Sequence, residues 1–307
     1  MGRVISCFSP NHESSKKKAA PSLSNNPESS NKPFGALILT DITDALVDII
    51  FVHGLTGHRE NTWTAEGENE PWLKSLLPTY LPTTRIITYG YDANIVNLTR
   101  VVVLRRDAVG RPIIFVAHSL GGLVCQDALL ICINPSEEAQ SDILSSTYGV
   151  AFLGTPHAGS DLEKFATAVA NVVSLVKKLN KKLLRVLRSN SEILANIKNE
   201  FLTMVRNHQG SLKPIKLHAF VEELPVNVIG LRMVEPNSAK IAGYISDTIH
   251  ANHIEMTKFK VADAGYTKVL NRLRTWIDND GTVLPNQLMY FLGESPTKTP
   301  KRQLLLL

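Results

Sequence analysis

The chain has no apolar run near the ~18 residues that a membrane-spanning helix needs, which argues against a helical membrane protein. Its amino end lacks the apolar core of a secretory signal, so the expectation is an intracellular chain. Cysteine is scarce, three in 307 residues, and Cys125 and Cys132 sit in apolar helical context. That excludes a disulfide framework and favours a reducing compartment. Excess charge of one sign is missing too. The net charge is only +5, and Lys and Arg gather in patches instead of a stripe, so nucleic-acid binding has no support. No internal repeat is visible.

What is present is an ordinary globular composition, 44% apolar and 20% charged, long enough for one α/β domain with a substantial core. Residues 1–33 read as a disordered tail rich in Ser, Asn, Pro and Lys. Within it Gly2 and Ser6 outline a myristoylation site, with Cys7 and the basic Lys16, Lys17 and Lys18 as supporting membrane contacts. Residues 34–278 read as one folded unit and 279–307 as a second loose tail. Strand-like apolar runs occur at 36–40, 46–52, 85–91, 112–118, 148–153 and 215–221, with a weaker run at 228–234. Helical patterns fall at 72–77, 120–133, 162–208 and 264–277. Strands alternating with helices imply a mostly parallel sheet with helices on both faces. The working residues of such sheets lie at the carboxyl ends of strands.

Residues 113–124 read Ile-Ile-Phe-Val-Ala-His-Ser-Leu-Gly-Gly-Leu-Val: a buried strand, a serine between small neighbours, then an apolar helix. That is the order of a nucleophile elbow, in which the serine sits on a strained strand-to-helix turn and the next backbone N–H is free to hold an oxyanion. Ala117 and Gly121 supply the small residues on either side of Ser119. A serine hydroxyl needs a base, and the base needs an acid, which follow it in the order acid, then histidine. His157 lies in a Gly-rich loop, His208 ends a helix and His218 falls inside a strand. The loop at 248–258, before the last helix, holds both His250 and His253, and position alone does not choose between them.

Six strings in order carry a likeness to a known family: His53-Gly54-Leu55-Thr56-Gly57 with Trp63 downstream, the elbow itself, Phe152-Leu153-Gly154-Thr155-Pro156-His157-Ala158-Gly159-Ser160, Phe220-Val221-Glu222, Ser238-Ala239, and Ala251 to Phe259. Over about 47–277 the chain resembles an intracellular α/β-hydrolase family. That family includes the serine-active-site-containing proteins of mitochondria and endoplasmic reticulum and the lipase-like N-terminal modules of fungal NACHT-type proteins, with the inositol deacylases of GPI anchors more distant. The resemblance implies an α/β-hydrolase fold, His253 as the base with His250 a neighbour, and mitochondrial or endoplasmic-reticulum association. It also points to Glu222 as the acid, in the place where the fold usually carries one. Glu223, Glu235 and Asp247 are competitors.

The expected oxyanion donors are the backbone N–H groups of Leu55 and Leu120. His53 and His118 are expected to pack and shape loops. Residues 160–210 are expected to form a helical cap. An apolar set including Val172 and Leu183, and a basic set including Lys177 and Arg185, give it either a membrane-facing or a merely solvated surface. The chain departs from the family at 92–111, where a short connection leaves room for a short helix at best. The resulting expectation is a serine hydrolase acting on carboxylic esters, lipid esters first among them, or transferring their acyl groups. Such chemistry needs no cofactor or metal. The rival expectation is a catalytically weak or idle module for signalling or protein interaction.

Overall fold

The computed structural model is described here for residues 34–55, 57–91, 108–157, 162–175, 191–210, 214–227 and 229–278. The expectations for the two tails, for the 92–107 connection and for the basic stripe at 176–190 lie outside those residues.

Seven strands form one sheet: β1 (Gly35–Thr40), β2 (Val47–Val52), β3 (Thr84–Gly90), β4 (Ile113–His118), β5 (Thr147–Leu153), β6 (Lys216–Glu222) and β7 (Ser246–Ile249). Their spatial order is β1-β3-β2-β4-β5-β6-β7. Only β1 runs antiparallel, against β3. The other five pairings are parallel. The helices are α1 (Trp72–Ser75), α2 (Leu77–Tyr80), α3 (Gly121–Ile131), α4 (Glu138–Ser146), α5 (Leu162–Leu175), α6 (Ser191–His208), α7 (Pro236–Ala239) and α8 (Ala264–Asp278).

A parallel strand covered on both faces reads as a continuous apolar run, and β2 and β4 are buried at every position. Alternate side chains go to opposite layers. Val47, Ile49 and Phe51 join Trp72, Leu77 and the apolar face of α8 on one side. Ile50 and Val52 join α3, α4 and α6 on the other. The face that α8 buries is Tyr266, Val269, Leu270, Leu273, Trp276 and Ile277, which is helical spacing. Its first turn is capped by Asp263, whose Oδ1 accepts from Tyr266 N at 2.7 Å.

The sheet order, with helices on both faces and an elbow after β4, is the α/β-hydrolase fold. Of residues 228–234, expected as a weak strand, the described ones, 229–234, form none: an isolated bridge pairs Val226 with Leu231, and the chain then runs irregularly into α7. Strand β7 and helix α4 are among the elements with no clear sequence signal. Strand β7 carries only four residues, one of them buried, and α4 is amphipathic but short of apolar residues. The expected cap segment divides in its described parts. Helix α5 packs with Leu120, Leu123, Val221 and Met233 above the carboxyl ends of the strands. Helix α6 instead places Ile197, Phe201, Met204 and Val205 against the sheet beside α3. No helix among the described residues is long and apolar enough to cross a membrane.

Candidate active site

Ser119 is the one residue other than glycine with positive φ among the described residues, at 55°. Side chains rarely adopt that region because Cβ crowds the backbone, so the tertiary structure must hold the turn. It does so on both sides of the serine. Ser119 N donates to Leu153 O on β5 at 2.8 Å, and Gly122 N donates back to Ser119 O at 3.1 Å. The turn also brings α3 against the end of β2. A Cβ on Gly121 would stand 2.3 Å from His53 O, and one on Gly54 would stand 2.7 Å from Ser119 Cβ. Backbone must approach backbone at Gly121, and at Gly54 the backbone meets the Cβ of the serine itself, so both places require glycine. Ala117, the departure from the usual glycine, is accommodated within β4 with no exposure.

The sequence-derived residues lie together at the carboxyl edge of the sheet. Ser119 and His253 line one cavity of about 330 Å³, together with Leu55, His118, Val169, Met233, Ile254 and the polar His58, Asn61 and Lys258. Glu222 is the last residue of β6 and is 1% exposed. Its Oε2 lies 2.5 Å from His253 Nδ1. The carboxylate can only accept, so Nδ1 carries the proton and Nε2 is left as the basic nitrogen. The other carboxylate oxygen accepts from Met233 N at 2.8 Å and Val234 N at 3.0 Å. A buried carboxylate held by a ring N–H and two backbone N–H groups has its charge compensated. The two backbone donors come from the run expected as a strand, and nothing in its composition announces them.

The competing groups are engaged elsewhere. His250 is exposed and bonds Glu223 Oε2 at 2.7 Å. Asp247 faces His218 at 2.9 Å and Arg272 at 3.8 Å. Glu235 precedes α7. Of the expected oxyanion donors, Leu55 lines the cavity, whereas Leu120 directly follows Ser119 and turns its side chain into the cluster under α5.

The remaining histidines are structural in their contacts. His53 Nδ1 donates to Gly54 O at 2.7 Å and its Nε2 accepts from Tyr91 N at 3.3 Å, with the ring stacked on Tyr91. Burial pushes its pKa down to about 4. His157 accepts from Gln126 Nε2 at 3.2 Å and is pushed by burial to about 3. The base loop is tied to the opposite wall of the site by Trp72 Nε1 donating to Thr257 O at 2.8 Å and by Thr257 Oγ1 donating to Thr62 O at 2.8 Å. Asn252 Oδ1 accepts from Ile254 N at 3.0 Å, which closes the turn just past His253.

No family model matches the chain. Among curated proteins it is similar to Protein SERAC1 of Bos taurus, 27% identical over 274 residues, covering 76% of this chain and 39% of the relative. Protein SERAC1 of Homo sapiens is 26% identical over the same shares. The chain thus matches about two fifths of the length of these relatives. Among solved structures it is similar to MenH from S. aureus, with TM-score 0.42 and 9% identity over 80% of this chain and 98% of the other. The esterase domain of a Rhodothermus marinus protein gives TM-score 0.42 and 13% identity over 76% and 87%. At these scores the fold assignment rests on this chain's own strand order and elbow.

Proposed function

We propose that the chain is a serine hydrolase acting on carboxylic esters, with Ser119 as nucleophile, His253 as general base and acid, and Glu222 as the group that orients His253. One arrangement carries the reading: a serine held at positive φ shares a cavity with a histidine whose Nδ1–H is fixed by a buried carboxylate. His253 Nε2 takes the Ser119 proton as Oγ bonds to the acyl carbon, and the carbonyl oxygen becomes an oxyanion held by the N–H groups of Leu55 and Leu120. Collapse breaks the ester bond, and His253 returns the proton to the departing alcohol. Water, activated by the same histidine, then releases the acid; a second alcohol in its place makes the reaction a transacylation. Leu55, Val169, Met233 and Ile254 form the apolar wall against which an acyl chain packs, which favours lipid-like esters.

A fluorophosphonate probe tests the assignment. The wild type is expected to label and to hydrolyse p-nitrophenyl esters, while Ser119→Ala loses labelling and several orders of magnitude in kcat. Equal labelling of Ser119→Ala sinks the reading. A folded wild type that neither labels nor hydrolyses esters favours the idle interaction module.

A further inference from the structure

We infer, on the roles proposed above for Ser119 and His253, that His118 is a positioning residue: its imidazole ties the backbone of the base to the end of the strand that carries the nucleophile. His118 Nε2 lies 2.9 Å from His253 O, and the two residues are 8% and 3% exposed. A carbonyl only accepts, so Nε2 is the protonated nitrogen. Its other nitrogen, Nδ1, is buried with no hydrogen-bond partner and faces Gly54, on which a Cβ would stand 3.2 Å away. A proton on Nδ1 would be a buried unpaired donor, so the neutral Nε2–H form is the state that the site accepts. Burial and the neighbouring His253 hold its pKa well below the ordinary histidine value, in the same sense.

The placement explains why a histidine stands there. On the neighbouring strand the paired position is Leu153, fully buried, and an apolar residue at 118 would fill the space as well. It would not donate. Glu222 holds the His253 ring at Nδ1 and the Trp72 and Thr257 bonds hold the loop four residues further on, but neither fixes the backbone of His253 relative to Ser119. His118 does, because it is covalently joined to Ser119 and bonded to His253 O. The two rings also touch, with centroids 4.8 Å apart and planes at 42°.

Two variants separate positioning from packing. His118→Leu keeps volume and loses the donor; His118→Gln places an amide N–H near the Nε2 position. Misplacing a base by about 1 Å costs about 100-fold, so His118→Leu is expected to lower kcat and the rate of fluorophosphonate labelling by that order, leaving KM for a short-chain ester almost unchanged. His118→Gln recovers most of the loss. Long-range 15N–1H spectra of the wild type are expected to show His118 as the Nε2–H tautomer across about pH 5–8. If His118→Leu does not fold, His118→Asn, whose amide stops short of the carbonyl, takes its place.

Unchanged kcat in an active His118→Leu, equal loss in the Leu and Gln variants, or an Nδ1–H or titrating His118 overturns the positioning role while leaving the Ser119 assignment intact. A wild type that fails to label overturns both, and the tautomer then still reports whether the bond to His253 exists.

Discussion

The turn that carries Ser119 past the end of β4 holds it at φ 55°, and that backbone strain is measurable apart from any activity. Ser119→Ala retains the strain and Ser119→Gly relieves it. The glycine variant is therefore expected to be more stable than the alanine variant by about 1 kcal/mol in urea unfolding. At Glu222, replacing the carboxylate by an amide lets either the NH2 or the carbonyl meet His253, so the Nδ1–H tautomer is no longer enforced. Glu222→Gln is expected to lower kcat by up to about 10,000-fold with the fold intact, as a circular-dichroism spectrum would check. Loss of less than about 10-fold would move the orienting role to another group. Residue identity at these places was legible in the sequence because chemistry restricts it: a serine between Ala117 and Gly121 after a buried strand has few structural uses. The choice between His250 and His253 was not legible from spacing, since both lie in the same loop; burial of one and exposure of the other separates them.

Among the elements, β2, β3 and β4 meet at their amino ends in a buried ion pair that sets their relative position. Asp48 has no exposure and accepts from Arg85 Nε at 2.9 Å, Arg85 NH2 at 2.8 Å and Arg111 NH1 at 3.2 Å. Asp48 pairs in register with Arg85 on β3 and with Ile113 on β4. Asp48→Ala leaves buried guanidinium charge unpaired and is expected to destabilise by roughly 3–5 kcal/mol, read from the urea midpoint; a loss within about 1 kcal/mol would show that the pair is dispensable. Strands covered on both faces were legible as apolar runs, and β1 to β6 fall within two residues of where those runs place them. Strand β7 was not, because at the sheet edge only Ile249 of its four residues is buried and the pattern that marks a strand is missing. The loop that supplies Met233 N and Val234 N to Glu222 has the composition of a strand for the opposite reason: it is apolar, but its apolar side chains pack under α5 and its backbone donors serve a carboxylate.

At the scale of the whole molecule, burying histidines makes stability depend on acid. His53, His118, His157 and His218 all have pKa values pushed down, to about 4 for His53 and about 3 for His157, chiefly by burial. Because the folded values lie below the unfolded one, the unfolded chain binds more protons between about pH 4 and 6.5, and stability is lost as pH falls through that window. Each such histidine costs about 1.4 kcal/mol per pH unit below 6.5, so Tm is expected to be level above about pH 7 and to drop steeply toward pH 5. A Tm that stays level down to pH 5 would show that these rings accept protons in the folded state.

The sequence by itself determined the strand-and-helix alternation, the elbow and the residue types gathered at the carboxyl edge, because these follow from local periodicity and from chemistry that few residues perform. Only the tertiary structure decided which histidine meets which carboxylate and that α5 and α6 part company. It also decided that His118 reaches from the nucleophile strand to the backbone of His253. Those outcomes depend on contacts between residues distant along the chain, 31 positions for His253 and Glu222 and 135 for His118 and His253, and burial selects them where spacing along the chain is silent.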